Sequence, residues 1–241
     1  MIDLNILAVL ATVLAGIVRT SVGVGAGIAL TASLSLMFDP RMTLAIMAFL
    51  QIGLGVSALL HYWKRWDTGI AARLTGWMFL GVVAGTWLIA VVPIDWARRV
   101  LGAGLAIVAG LEIARRQRFV HARTGKPQAV VPGFLSGVAG STANACGAVA
   151  ALYLKRHALS HESFVATLSI IVMSHDVFRL GVFWQFGMVT GAALKIALLL
   201  LPFAFIGGWI GSKVNAAANE HVLSTLVFAL VLLVGITLLL R

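Results

Sequence analysis

Almost all of this chain is divided into apolar runs about as long as a bilayer is thick, with charged residues in the gaps between them. A helical span of the hydrocarbon core takes about 20 apolar residues. Runs at 4–38, 42–63, 70–92, 97–114, 129–154, 164–186, 192–214 and 220–240 approach or exceed that length. No hydrophilic stretch between them is long enough to fold separately. The longest, 115–128, carries Arg115, Arg116, Arg118, Arg123 and Lys126 and divides the chain almost in half. In lipid the backbone must satisfy its own polar groups, so the runs are expected to be helices. The expected fold class is an all-α polytopic membrane protein with eight hydrophobic segments.

Composition excludes the alternatives. Apolar residues make up 61% of the chain and charged residues 11%, against about 45–50% and about 25% in soluble domains. A soluble enzyme, a secreted disulfide scaffold and a disordered tail are all ruled out. The net charge of +10 would suggest nucleic acid in a soluble protein, but here it sits largely in short loops and reports orientation through the positive-inside rule. No nucleic-acid partner is expected. Cys146 is the sole cysteine, so neither an intramolecular disulfide nor a cysteine-based zinc site can form. No cofactor or metal is expected. Met1-Ile2-Asp3 places no basic region before the first apolar run, which reads as a retained segment rather than a cleaved signal.

The two halves resemble each other, as 1–117 and 129–241 flanking a basic cytoplasmic linker at 118–128. Each opens with a long glycine-bearing segment. Gly27 aligns with Gly147; at a slightly longer offset Gly85 falls on Gly207, Trp87 on Trp209, and Val100-Leu101 on Val222-Leu223. As one helix, 4–38 would be about 51 Å long at about 1.5 Å per residue, too long for a core of about 30 Å. Gly23, Gly25 and Gly27 weaken its middle by about 1 kcal/mol each relative to alanine. Close helix packing explains the glycine spacing but not the length. Two short helices joined by extended backbone are expected in each half, such backbone being tolerated at membrane depth when buried in protein or facing a water-filled cavity. Loop charges divide more unevenly if each broken segment is re-entrant than if it crosses. That favours inverted repeats, with Lys64, Arg65, the central basic cluster and Lys155-Arg156 inside, and both termini outside.

Residues 133–191 carry a resemblance. Gly133-Phe134-Leu135-Ser136-Gly137, Ala151-Leu152-Tyr153-Leu154, Phe164-Val165-Ala166-Thr167-Leu168 and Arg179 resemble the second-half pattern of the TauE/SafE family. Phe205-Ile206-Gly207-Gly208-Trp209-Ile210-Gly211-Ser212-Lys213 is similar to that family's glycine-spaced penultimate helix. The resemblance implies a bacterial inner-membrane, multi-pass exporter of sulfite or small organosulfur anions, not an enzyme. Its partners would be a small anionic substrate and the bilayer, with a homodimer permitted. The family's Gly-Gly-Gly or Gly-Pro-Pro element is replaced here by Gly23-Val24-Gly25-Ala26-Gly27 and by Ser141-Thr142-Ala143-Asn144-Ala145-Cys146-Gly147. An arginine frequent after the phenylalanine of Phe-x-Ala-Thr-Leu is Val165.

Anion transport needs positive potential at membrane depth without a permanent trap. Half-helix N-termini near Gly27 and Gly147 would supply it. Thr20, Ser21, Ser141, Thr142 and Asn144 lie just before them, able to donate to an oxyanion or simply to cap the half-helices. Gly23, Gly25, Gly27 and Gly147 would let backbone approach the substrate. Arg19 lies next to the first break, where a charge is by default functional unless it snorkels to the interface. In the sixth run, Arg179 stands three residues after Asp176 and four after His175, within reach of both. That cluster is either a self-neutralised pair or an anion site with His175 titrating nearby. Gln51, His175 and Asp176 are candidates for coupling or gating. Trp63, Trp66 and Trp96 are expected as interfacial anchors, and Trp77 and Trp87 as packing.

An aquaporin-like channel is the alternative function, from the twin breaks and Asn144-Ala145-Cys146. An intramembrane serine protease lacks the Gly-x-Ser-Gly element around Ser136, and no His/Asp/Glu cluster spans both halves to suit a metal transporter.

Overall fold

The computed structural model describes residues 6–22, 26–61, 64–116, 128–214 and 220–240. Among them every regular element is a helix: α1 (Ile6–Val22), α2 (Ala26–Ser35), α3 (Pro40–His61), α4 (Thr68–Val91), α5 (Ile94–Arg116), α6 (Val130–Ala143), α7 (Cys146–Leu154), α8 (His161–Gln185), α9 (Gly191–Val214) and α10 (Glu220–Leu240). The helices fall on the eight apolar runs, and the two broken runs yield two helices each. Within α4, α8 and α9 the stretches Thr68–Val91, Glu162–Gln185 and Gly191–Ile210 are long and apolar enough to cross a membrane. The short helices α2, α6 and α7 have 10, 14 and 9 residues. At about 1.5 Å per residue none of these spans about 30 Å of hydrocarbon.

Helix ends follow local chemistry. The Asp67 carboxylate accepts from the Ile70 amide at 2.8 Å to start α4, and Ser160 accepts from Ser163 at 3.2 Å to start α8. The far end of α4 is closed by Arg41 of α3, which donates to the carbonyls of Ile89, Ala90 and Val92 at 3.1, 2.9 and 2.6 Å. Those are the carbonyls a helix C-terminus leaves unpaired, and a cation there also meets the negative end of the helix dipole. Hydroxyls inside the bundle are mostly paired within their own helices. Thr12, Thr31 and Thr142 donate four residues back, to Ala8, Gly27 and Val138, at 2.7, 2.7 and 2.8 Å.

The helices pack as α1 on α9, α6 on α4, α5 on α10 and α3 on α8, with α3 also against α9 and α8 against α4. Small residues set the closest approaches, as membrane helix packing favours. A Cβ on Gly16 would lie 2.7 Å from the Ala204 carbonyl oxygen and 2.8 Å from the Gly208 nitrogen; one on Gly137 would strike the Met78 carbonyl oxygen and lie 2.6 Å from the Val82 nitrogen. Trp77 and Trp87, expected to pack, are instead 43% and 56% exposed. The contact of α4 with α6 is carried by Gly81 and Gly85, and the bulky indoles are left facing the surroundings.

At one end of the α3–α8 contact the two halves are tied by polar groups. Arg65 forms an ion pair with Glu162, and the Asp67 amide donates to Thr167 at 2.9 Å.

Candidate anion site

The second break is compact, not extended as expected. Asn144 takes the left-handed conformation (φ 55°, ψ 32°) and its amide closes on the carbonyls of Ala139 and Gly140, ending α6. Asparagine tolerates this conformation because its short polar side chain bonds locally. The chain therefore turns on Asn144-Ala145, and α7 begins at Cys146. The turning residue is not one of the glycines of that stretch.

Asn144 also joins three parts of the molecule. Its Oδ1 accepts from Arg179 Nη1 at 3.0 Å, and its Nδ2 donates to the Gly27 carbonyl at 3.3 Å. Gly27 is the second residue of α2, so the second break touches the beginning of the half-helix that follows the first. A Cβ on Gly27 would lie 2.5 Å from Gln51 Nε2 and 3.3 Å from Asn144 Nδ2. Two side-chain amides, one from each half, thus converge on this glycine.

Arg179 is wholly enclosed, as are His175 and, to within 1% exposure, Asp176. Arg179 Nη1 donates to the Gly140 carbonyl at 2.7 Å, Nη2 lies 2.8 Å from Asp176 Oδ1, and the guanidinium carbon is 5.5 Å from the Phe183 ring centre. Its Nε has no hydrogen-bond partner, nor has Asp176 Oδ2. His175 Nδ1 lies 3.0 Å from the same Asp176 Oδ1, so one carboxylate oxygen faces both the imidazole and the guanidinium. The ring of His175 presses on Gly140, where a Cβ would collide with it. A charge here must be paired to be tolerated, and one carboxylate, one amide and one backbone carbonyl do this.

Ser141 and Thr142 are buried, but their hydroxyl hydrogens are directed to the Val82 and Val138 carbonyls at 3.3 and 2.8 Å. Gly147 sits on α7 with Val172 at 3.4 Å from where its Cβ would be. Gln51 lies on α3 beside Gly27. Arg19, Thr20 and Ser21 belong to the last turn of α1, and their side chains, with Gly23 and Gly25, lie outside the described residues. Sequence reasoning missed Gly140, whose carbonyl holds Arg179 and whose bare Cα admits His175. It also missed the contact of Cys146 Sγ with Met78 Sδ at 3.7 Å. A glycine one helical turn before Asn144 was the available signal for the first.

The family model described as sulfite exporter TauE/SafE matches residues 8–238. No curated protein and no solved structure matches the chain.

Proposed function

Because this chain belongs to the TauE/SafE sulfite exporter family, we propose that it exports a small sulfur-containing anion, sulfite or an organosulfonate, across the bacterial cytoplasmic membrane, through the space between its two breaks. It is a membrane transporter and not an enzyme. The observation that carries the site assignment is the enclosed Arg179 guanidinium, linked through Asn144 to Gly27 of the other half. Arg179 has one carboxylate partner, which an incoming anion replaces. Asp176 then keeps His175 as its neighbour, so the carboxylate is not left bare. The candidate positions are Arg19, Thr20, Ser21, Gly23, Gly25, Gly27, Ser141, Thr142, Asn144, Gly147 and Arg179, with Gln51, His175 and Asp176 as gating groups. The channel alternative finds no support, since the matching family is one of exporters.

The proposed architecture is an inverted repeat of 1–117 and 129–241. Exchanging the halves turns α1-on-α9 into α6-on-α4 and leaves α5-on-α10 and α3-on-α8 unchanged, which is how the helices pack. The sense of α5 against α10 supports inversion. Gly102 meets Gly235 and Leu239, while Gly235 meets Gly102 and Ala106, so position advances on one helix as it retreats on the other. Repeats related by an axis along the membrane normal would place this pair parallel; an axis in the membrane plane places it antiparallel.

Moving one negative charge out of an inside-negative cell releases about 2.3 kcal/mol per 100 mV, so efflux of a monovalent anion needs no further coupling. The test is a flux screen in proteoliposomes with sulfite, sulfoacetate, taurine and chloride under an imposed voltage. Sulfite or sulfoacetate flux well above chloride is expected; chloride flux alone overturns the reading. A reporter fused after Arg241 checks the topology and is expected to be active outside only.

A further inference from the structure

Between α1, α2, α3 and α9 lies a partly open cavity of about 20 Å³, lined by Thr12, Gly16, Gly27, Gln51, Leu54 and Ala204 among others. About 10–15 Å³ on this measure admits one water-sized group. The lining is chiefly apolar, and the Thr12 hydroxyl already donates to Ala8. A trapped water wants two to four polar partners, and this lining offers few.

The other half shows why the space exists. Gly16 meets Ala204, Gly207 and Gly208 through the same backbone atoms by which Gly137 meets Met78, Gly81 and Val82. Ala204 of α9 thus occupies beside the first break the place that Met78 of α4 holds beside the second, and Gly207 takes the place of Gly81, one helical turn from the Gly85 that the sequence offset pairs with it. In the same way Gln51 faces Gly27 as Val172 faces Gly147. The Met78 side chain reaches Cys146 and fills its side of the bundle. Alanine at 204 leaves the corresponding space empty, and that space opens beside the glycine on which the Gln51 and Asn144 amides converge.

We propose that this cavity is an apolar subsite for the methyl-sized end of a small substituted sulfonate whose oxyanion head lies beside Asn144, between Arg179 on one side and Gly27 and Gln51 on the other, and that Ala204 sets its size. The inference rests on the anion-transport reading and deepens it. It assigns the two ends of the substrate different places, polar at the convergent amides and apolar at Ala204.

The test is Ala204→Met, which installs the residue of the equivalent place, with Ala204→Val as a smaller step. Two probes are compared, sulfite at a mildly acidic pH that keeps it as singly charged bisulfite, and methanesulfonate, so that both are monovalent sulfur oxyanions and only the second carries a methyl group. Efflux from proteoliposomes is expected to fall at least tenfold for methanesulfonate in Ala204→Met and less in Ala204→Val, with sulfite within twofold; one carbon in a fitted apolar pocket discriminates by about 10–200-fold. A second readout, the rise in melting temperature that each anion gives the purified protein, needs no transport. If neither anion is exported but methanesulfonate stabilises the wild type and not Ala204→Met, the transport reading fails and the subsite stands. Equal loss or equal retention of both anions in both readouts overturns the subsite. So does a more heat-stable Ala204→Met with unchanged discrimination, which would make the cavity a packing void.

Discussion

The surroundings of the two breaks are filled differently. At the second, Asn144 turns the chain, the enclosed His175 and Arg179 both reach Gly140, and Asp176 faces the two of them. At the first, Gly27 carries side-chain amides at close quarters and has a cavity beside it. One half contributes charge and the other contributes room. On the proposed repeat, related halves therefore need not offer a symmetric site. That suits an anion whose two ends differ.

The largest expected effect removes the charge. Arg179→Gln should lower anion flux more than tenfold in proteoliposomes under an imposed voltage without a pH gradient. Asp176→Asn should lower it less, because the substrate can take the carboxylate's place beside Arg179. The opposite ranking would mark the cluster as a proton relay and reverse the roles assigned to the two halves.

A smaller effect separates the glycines. Gly27→Ala puts a Cβ 2.5 Å from Gln51 Nε2, so that amide must move, whereas Gly147→Ala makes only ordinary contact with Val172 at 3.4 Å. Several-fold loss of flux is expected for the first and less than twofold for the second, with both proteins inserted normally. Equal losses would say that the two breaks meet the substrate alike.

The smallest effect lies at the tie between the halves. Arg65 and Glu162 are 54% and 60% exposed in their side chains. An exposed ion pair is worth about 0–1 kcal/mol. Glu162→Gln should therefore shift the melting temperature by under about 4 °C and leave flux within twofold. A large loss of flux would make the tie a working gate.

Much of this was legible in the chain. The run lengths imposed helices, and 4–38 and 129–154 contain the four helices α1, α2, α6 and α7. The Asp176–Arg179 pair followed from spacing alone, since residues three apart share a helix face. Less legible was the conformation of the second break. The run of Gly133, Gly137, Gly140 and Gly147 drew attention to glycine, but those at 133 and 137 serve close contact with α4, and the left-handed residue is Asn144. Ser141 and Thr142 looked like free donors because sequence does not say which carbonyl a hydroxyl will find.

What the sequence by itself determined is the solvent of this protein and the local order within it: lipid outside, helices along the runs, and charges paired one turn apart. These depend on composition and on the fixed rise and twist of a helix, which are properties of neighbouring residues. Only the tertiary structure decided that Asn144 would reach both Arg179 and Gly27, and that Ala204 would leave space where Met78 fills it. Those relations join residues far apart in the chain. In a lipid-facing bundle nearly every helix is apolar all round, so hydrophobicity does not choose among partners. Close fit between small residues such as Gly16 and Ala204 does, and it is a property of two surfaces together.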